Sequence, residues 1–201
     1  MRIGTLDTIR ALFKNSREIG EKLFRARDYT PIPFLILALL FERPKVTGVA
    51  LGCLLIVFGE LIRIYSVSFI GGISRTRKGS LGEKLVNDGA FAIVRNPLYV
   101  GNFFIILGVS LFSSVPWLIF LGVSFFICQY YFIVQYEEAL LEERFGEEFF
   151  MYKEAVPAWI PKQVPDLDEI QWPLSFSPAL RSEKRTFTAI LVVLLLLILR
   201  A

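Results

Sequence analysis

Histidine is missing from the chain altogether. That absence removes imidazole general bases, histidine-centred triads and most zinc or haem centres in one step. Cysteine is nearly as scarce. Cys53 and Cys128 each sit inside an apolar run, with spacing for neither a metal cluster nor a redox pair, so both read as small hydrophobic residues. No charged residue occurs between Asn96 and Tyr136. A large excess of one charge sign is lacking too: 22 lysines and arginines against 19 aspartates and glutamates leave a formal charge of +3. That balance gives no reason to expect a nucleic-acid partner. Before Asp28 there is no apolar core of signal-peptide type, and no metal is expected.

Apolar surface is what the chain has in abundance. Hydrophobic residues make up 54% and aromatics 14% of 201 residues, with the charges in blocks between apolar runs. This distribution predicts an all-α, polytopic membrane bundle of about four or five transmembrane helices. Residues 1–28 read as an amphipathic interfacial segment, 29–161 as the membrane core, and 162–201 as a linker with a hydrophobic C-terminal helix. In the first segment Ile9, Leu12, Phe13, Leu23 and Phe24 recur at helical spacing among Arg10, Lys14, Arg17, Lys22, Arg25 and Arg27, the pattern of a basic helix lying on a bilayer.

Pro31 to Phe41 is a short span that turns through Glu42-Arg43-Pro44-Lys45. Val46 to Ile73 is long enough to cross, and carries Glu60 and Arg63 on one helical face. Charges at that depth either pair with each other or line a site. A basic loop follows, with Arg75, Arg77, Lys78, Lys84 and Arg95. Ser113-Ser114-Val115-Pro116 then divides the uncharged run into helices Leu98–Phe112 and Pro116–Tyr136. The positive-inside rule puts the N-terminal arm, the loop before Arg95 and everything after Glu137 on the cytoplasmic side. Lys162 to Lys184 reads as surface loop, and Phe187 to Leu199 as a thin last span or a packed tail.

Two stretches carry the chemistry. In Arg95-Asn96-Pro97-Leu98-Tyr99-Val100-Gly101, Pro97 suits a first helical turn and Asn96 is a good N-cap. The open N–H groups near Leu98, Tyr99 and Val100, together with Arg95, would make an anion site. A capped membrane helix with a snorkelling arginine explains the same residues. The second stretch runs from Glu137 to Tyr152, where Glu137, Leu141, Phe145, Phe149 and Tyr152 share one stripe. Most of its glutamates read as a solvated face. Glu137 and Glu138, where the membrane helix emerges, are the functional candidates. Val156-Pro157-Ala158-Trp159-Ile160-Pro161 ends that helix and lays an aromatic at the interface.

Taken together, Arg95-Asn96-Pro97-Leu98-Tyr99-Val100-Gly101 and Glu137-Glu138-x-x-Leu141-x-x-x-Phe145-Gly146, with Tyr152 and Val156-Pro157 beyond, resemble the isoprenylcysteine carboxyl methyltransferase and phospholipid N-methyltransferase superfamily. The resemblance covers about Val46 to Pro161. It implies an integral membrane enzyme with S-adenosylmethionine in a cytosolic pocket. Carried over residue by residue, it implies cofactor contacts at Leu85, Val86, Phe91, Asn96, Pro97, Leu98, Tyr99, Glu137 and Glu138, with Arg95 and the two glutamates as catalytic residues. The sequence departs from the family in two places: Asn96 stands where a histidine is usual, and Gly89-Ala90-Phe91 replaces Gly-Pro-Tyr.

The residues suit that chemistry on their own terms. A donor's carboxylate fits the helix start at Pro97 and the charge of Arg95, while Glu137 or Glu138 can accept from its amino and ribose groups. The faces of Tyr99, Phe91, Tyr130 or Tyr136 can stabilise a sulfonium. Methyl transfer from an activated donor asks for positioning and water exclusion more than for acid–base work, so it does not need histidine. The expected acceptor is a lipid-like amphiphile entering from the bilayer, with Glu60, Arg63 and Tyr131 as candidate contacts. Carboxyl methyltransferases of this group carry an arginine on the helix before the paired glutamates, whereas Trp117 to Tyr136 has none. That counts against a prenylcysteine carboxylate as acceptor unless Arg63 or Arg95 takes the role. An amine or thiol would instead give its proton to Glu137, Glu138 or Glu60. Two other readings are an NADPH-dependent reductase of sterol-reductase type and a non-catalytic membrane scaffold.

Overall fold

The computed structural model describes residues 16–70, 84–163 and 166–200. Ile73 and the basic-loop residues Arg75, Arg77 and Lys78 lie outside them, as do Ile9, Arg10, Leu12, Phe13 and Lys14 of the arm. Among the described residues all regular structure is helical: α1 over 16–26, α2 Ile32–Phe41, α3 Val46–Ile70, α4 Ala90–Ile93, α5 Pro97–Ser113, α6 Pro116–Phe145, α7 Glu147–Ala155 and α8 Ser177–Arg200, with a 3-10 turn at Leu167–Glu169.

Two of these, α3 and α6, are long and apolar enough to cross a bilayer. The ten residues of α2 rise only about 15 Å, half of a hydrocarbon core of roughly 30 Å. Helix α5 has 17 residues and comes closer to that thickness. The helix predicted for Pro116–Tyr136 continues without a break to Phe145, and carries Glu137 and Glu138 within it. It stops at Gly146, whose φ of 51° is in the left-handed region that a glycine enters without cost.

The tightest pairing is α3 against α5, and glycines make it. A Cβ on Gly59 would lie 2.5 Å from the Gly101 carbonyl oxygen, and one on Gly101 2.7 Å from that of Gly59. Two turns away, Gly52 and Gly108 repeat the arrangement at 2.6 and 2.7 Å. Seven-residue spacing puts both glycines of each helix on one face, and their missing side chains let the two backbones touch.

Two turns meet at one end of the bundle. The Arg43 N–H donates to the Ser113 carbonyl at 2.9 Å, and the Lys45 N–H to Ser114 Oγ at 3.1 Å. With 42–45 and 113–115 joined there, the start of α5 and the end of α6 fall together at the opposite end. Helix α8 packs against α3 and α2. It begins at Ser177, so the end of the expected surface loop is helical, and the apolar Phe187–Leu199 stretch is the second half of a 24-residue helix. The cause is a stripe the charges disguise: Ala179, Glu183 and Leu197 are fully buried.

Candidate functional site

Arg95 is a clamp at the end where α5 begins. Its Nε and Nη2 donate to Glu138 Oε1 at 3.0 and 2.8 Å, and its Nη1 donates to the carbonyls of Lys153 at 2.9 Å and Val156 at 2.5 Å. The Arg95 backbone N–H donates to the Pro157 carbonyl at 2.8 Å. Lys153 Nζ lies 3.4 Å from Glu138 Oε2. One guanidinium thus ties the α5 start, the α6 end and the chain beyond α7 together. Its Nε, Nη1 and Nη2 all have protein partners, so of the two readings of Arg95 this arrangement favours neither an open anion site nor a snorkelling side chain.

Asn96 occupies the N-cap position of α5, but its side chain does not cap the helix. The amide donates instead to the Ala158 carbonyl at 3.1 Å. The N–H groups of Tyr99 and Val100 both reach the Asn96 carbonyl, leaving Leu98 as the one of the three expected amides without such a bond. The Tyr99 hydroxyl donates to Glu137 Oε2. Its ring lies 4.6 Å from that of Tyr130, which in turn lies 4.4 Å from Phe126. From α7, the Tyr152 hydroxyl donates to the Phe91 carbonyl at 2.8 Å, and burial pushes that phenol well above its usual range, so it stays a neutral donor.

These groups face one cavity of about 770 Å³, within the usual range of roughly 300–1,000 Å³ for small-molecule sites. Its polar end holds Arg95, Asn96, Tyr99, Glu137 and Glu138, and its far end Phe34, Ile56, Val109 and Leu194. From Pro97 to Val109 on the α5 wall is about 18 Å at roughly 1.5 Å per residue. The cavity is therefore long, polar at one end and apolar at the other.

Of the residues singled out from sequence, Arg63, Phe91, Arg95, Asn96, Pro97, Leu98, Tyr99, Glu137 and Glu138 line this space. Leu85 and Val86 do not; they are half-buried elsewhere. Tyr131 is 58% exposed and turned away, because its neighbour Tyr130, at 6%, takes the inward position. Tyr136 packs on Phe24 of α1 instead, with rings 5.8 Å apart. Glu60 is buried behind the wall with its Oε2 3.3 Å from Arg63 Nε.

Sequence reasoning missed Asn102, Glu183 and Thr186, all on the cavity wall. Asn102 was detectable as an amide in an otherwise apolar stretch, which in a membrane marks a buried partner. Glu183 fell in the stretch read as surface loop, so its helical spacing to Thr186 and Ile190 was not followed. The donor set fits the implied cofactor. The tilted rings of Tyr99 and Tyr130 offer faces that suit a sulfonium, the Glu137 carboxylate suits ammonium or hydroxyl donors, and Arg95 does not compete because Glu138 already holds it.

The described residues form a helical bundle around one cavity with a polar and an apolar end, and comparison with known proteins gives the class. The phospholipid methyltransferase family profile matches residues 47–148, about half the chain, and the chain belongs to that family. It is similar to human protein-S-isoprenylcysteine O-methyltransferase, 32% identical over 117 residues, covering 55% of this chain and 40% of the relative. The same enzyme of Saccharomyces cerevisiae is 28% identical over 156 residues, covering 71% and 64%. That of the mouse is 31% identical over 119 residues, covering 56% and 41%. The chain thus spans less than two thirds of the length of these relatives. No solved structure matches.

Proposed function

We infer that this chain is a multi-pass membrane methyltransferase that uses S-adenosylmethionine and acts on a lipid-like acceptor, with its site on the cytoplasmic side. The observation that carries this is one elongated cavity with a charged, aromatic end and an apolar end. The polar end suits the cofactor, and the family membership supports the assignment. Glu137, held by the Tyr99 hydroxyl, would accept from the cofactor's amino or ribose groups, and Leu98 would present its open N–H to the carboxylate. The rings of Tyr99 and Tyr130 would face the sulfonium. When bound, the cofactor supplies an activated methyl group. The chain's own residues align the two partners and exclude water, an arrangement that can account for several of the roughly 8–23 kcal/mol by which enzymes lower barriers.

The apolar end, between α2, α3, α5 and α8, suits the acceptor's tail. Arg95 secures the floor of the site by joining α5 to α6 and the segment after α7, a positioning role. Equilibrium binding in detergent tests the assignment. Purified protein is expected to bind S-adenosylmethionine and not NADPH. Selective binding of NADPH would favour the reductase reading, and binding of neither the scaffold.

A further inference from the structure

Helix α8 carries two chemistries along its outward side. Its inner face is fixed by Glu183, whose Oε2 lies 2.7 Å from Arg63 Nη2, and by the fully buried Ala179 and Leu197. At about 3.6 residues per turn, the opposite side carries Arg181, Lys184, Arg185 and Thr188, followed by Leu191, Val192, Leu195 and Leu199. All of these are exposed. Cations come first and alkyl side chains after them, which is the order of a phospholipid's head and tail.

The lengths agree with that order. From Arg185 to Leu195 is about 15 Å at roughly 1.5 Å per residue, one leaflet's share of a hydrocarbon core of roughly 30 Å. The chain just before α8 marks the same level. Trp172 is 71% exposed and lies edge-to-face with Tyr65 of α3, their ring centroids 6.5 Å apart. An exposed tryptophan beside a membrane helix belongs at the headgroups.

The cations on this face are not neutralised by the protein. Glu183 points inward to Arg63, and among the described residues Arg181, Lys184 and Arg185 enter no ion pair. Arg185 also lines the cavity, as do Tyr29 and Ile32. All three are exposed, so the cavity meets the outside here. Asp28, beside Tyr29 in the turn between α1 and α2, is the exposed acid of that lining. Snorkelling accounts for one long side chain at a time. Arg181 and Arg185 instead stand one turn apart on one face, and each guanidinium can hold two phosphate oxygens at once. A zwitterionic head brings its own cation to such a face, whereas an anionic head does not. Clustered basic residues at the start of a membrane helix select the anionic one.

We propose that the outer face of α8 binds an anionic phospholipid of the surrounding leaflet, with its phosphate on Arg181 and Arg185 at the cavity rim and an acyl chain along Leu191, Val192 and Leu195. The lipid is a bound component and receives no methyl group. The site rests on the membrane-spanning reading and not on the choice of methyl donor. Helix α8 lies outside the matched residues 47–148, so the site belongs to a segment the family match does not cover.

Native mass spectrometry of the purified chain in a neutral detergent tests this, with dioleoylphosphatidylglycerol, dioleoylphosphatidylcholine or glycerol 3-phosphate added. Phosphatidylglycerol is expected to stay bound where phosphatidylcholine does not, and glycerol 3-phosphate should not displace it. Arg181→Gln with Arg185→Gln should weaken phosphatidylglycerol binding about tenfold or more, and Arg185→Gln alone about threefold, as expected for basic residues at a charged headgroup. Lys22→Gln, which removes an exposed cation of α1, should leave binding as it is. Thermal unfolding without lipid should be the same in all these variants, and the single arginine variant decides where the double one does not fold. Equal retention of the two lipids, or undiminished phosphatidylglycerol binding in the folded arginine variants, would overturn the proposal. So would displacement by glycerol 3-phosphate, which would make this a site for a soluble phosphate. Failure of the chain to enter phosphatidylcholine nanodiscs would instead sink the membrane-spanning reading itself.

Discussion

Removing the Arg95 guanidinium leaves the Glu138 carboxylate, with a side chain 16% exposed, facing Lys153 Nζ at 3.4 Å as its remaining ion-pair partner. Two carbonyls lose their donor at the same time. Arg95→Ala should therefore lower stability by about 2–3 kcal/mol, in line with lost bonds to a charged group, as read by thermal unfolding in detergent. Arg95→Lys should recover little of it, because an ammonium cannot reproduce the planar fork. Glu137→Gln should behave differently. The amide oxygen can still accept from Tyr99, so unfolding is expected to change little while cofactor affinity falls about tenfold, the size of one charge-assisted bond. Equal loss of stability in both variants would show Glu137 to be structural. At this scale the candidate residues were legible because polar groups beside an apolar run have few bland explanations. Their partners were not. Whether Arg95 faces a ligand or Glu138 depends on where α6 ends in space, and Tyr130 was separated from Tyr131 only by the rotation of that helix.

Helices α3 and α5 form a unit because Gly52 and Gly59 meet Gly108 and Gly101 backbone to backbone. Gly108→Ala would set a methyl 2.7 Å from both the Gly52 carbonyl and Ile56 Cγ1. The expected cost is about 1–3 kcal/mol from overpacking, measured by thermal unfolding. An unchanged midpoint would mean that the two helices are not held this close. The breaks between helices were readable from local chemistry: Pro97 and Pro116 open helices, and Gly146 turns the chain at a positive φ. The apolar second half of α8 was readable, but its first half was not, because Glu183 and Arg185 resemble surface charges until Arg63 is known to lie opposite Glu183. A buried ion pair between distant segments leaves no periodic mark on either one.

For the molecule as a whole, the two turns joined by Arg43 and Lys45 lie away from the Arg95–Glu138 end. In a bilayer they should face opposite compartments. Single cysteines at Lys45→Cys and Glu148→Cys, in protein with Cys53 and Cys128 replaced by serine, should be labelled by an impermeant maleimide from opposite sides of oriented vesicles. Labelling of both from one side would remove the membrane-spanning arrangement. The helical class and the order of apolar runs followed from composition. The cavity did not, since it depends on seven helices converging, with α8 closing one wall.

The central claim is that the polar end, between the start of α5 and the end of α6, holds the methyl donor. The most direct test is protection of that end. Hydrogen exchange of the purified protein with and without S-adenosylmethionine should show slower exchange at the amides around Leu98 and around Glu137, with α2 and the 113–115 turn unchanged. Binding accompanied by protection elsewhere, or no change at either place, would contradict it.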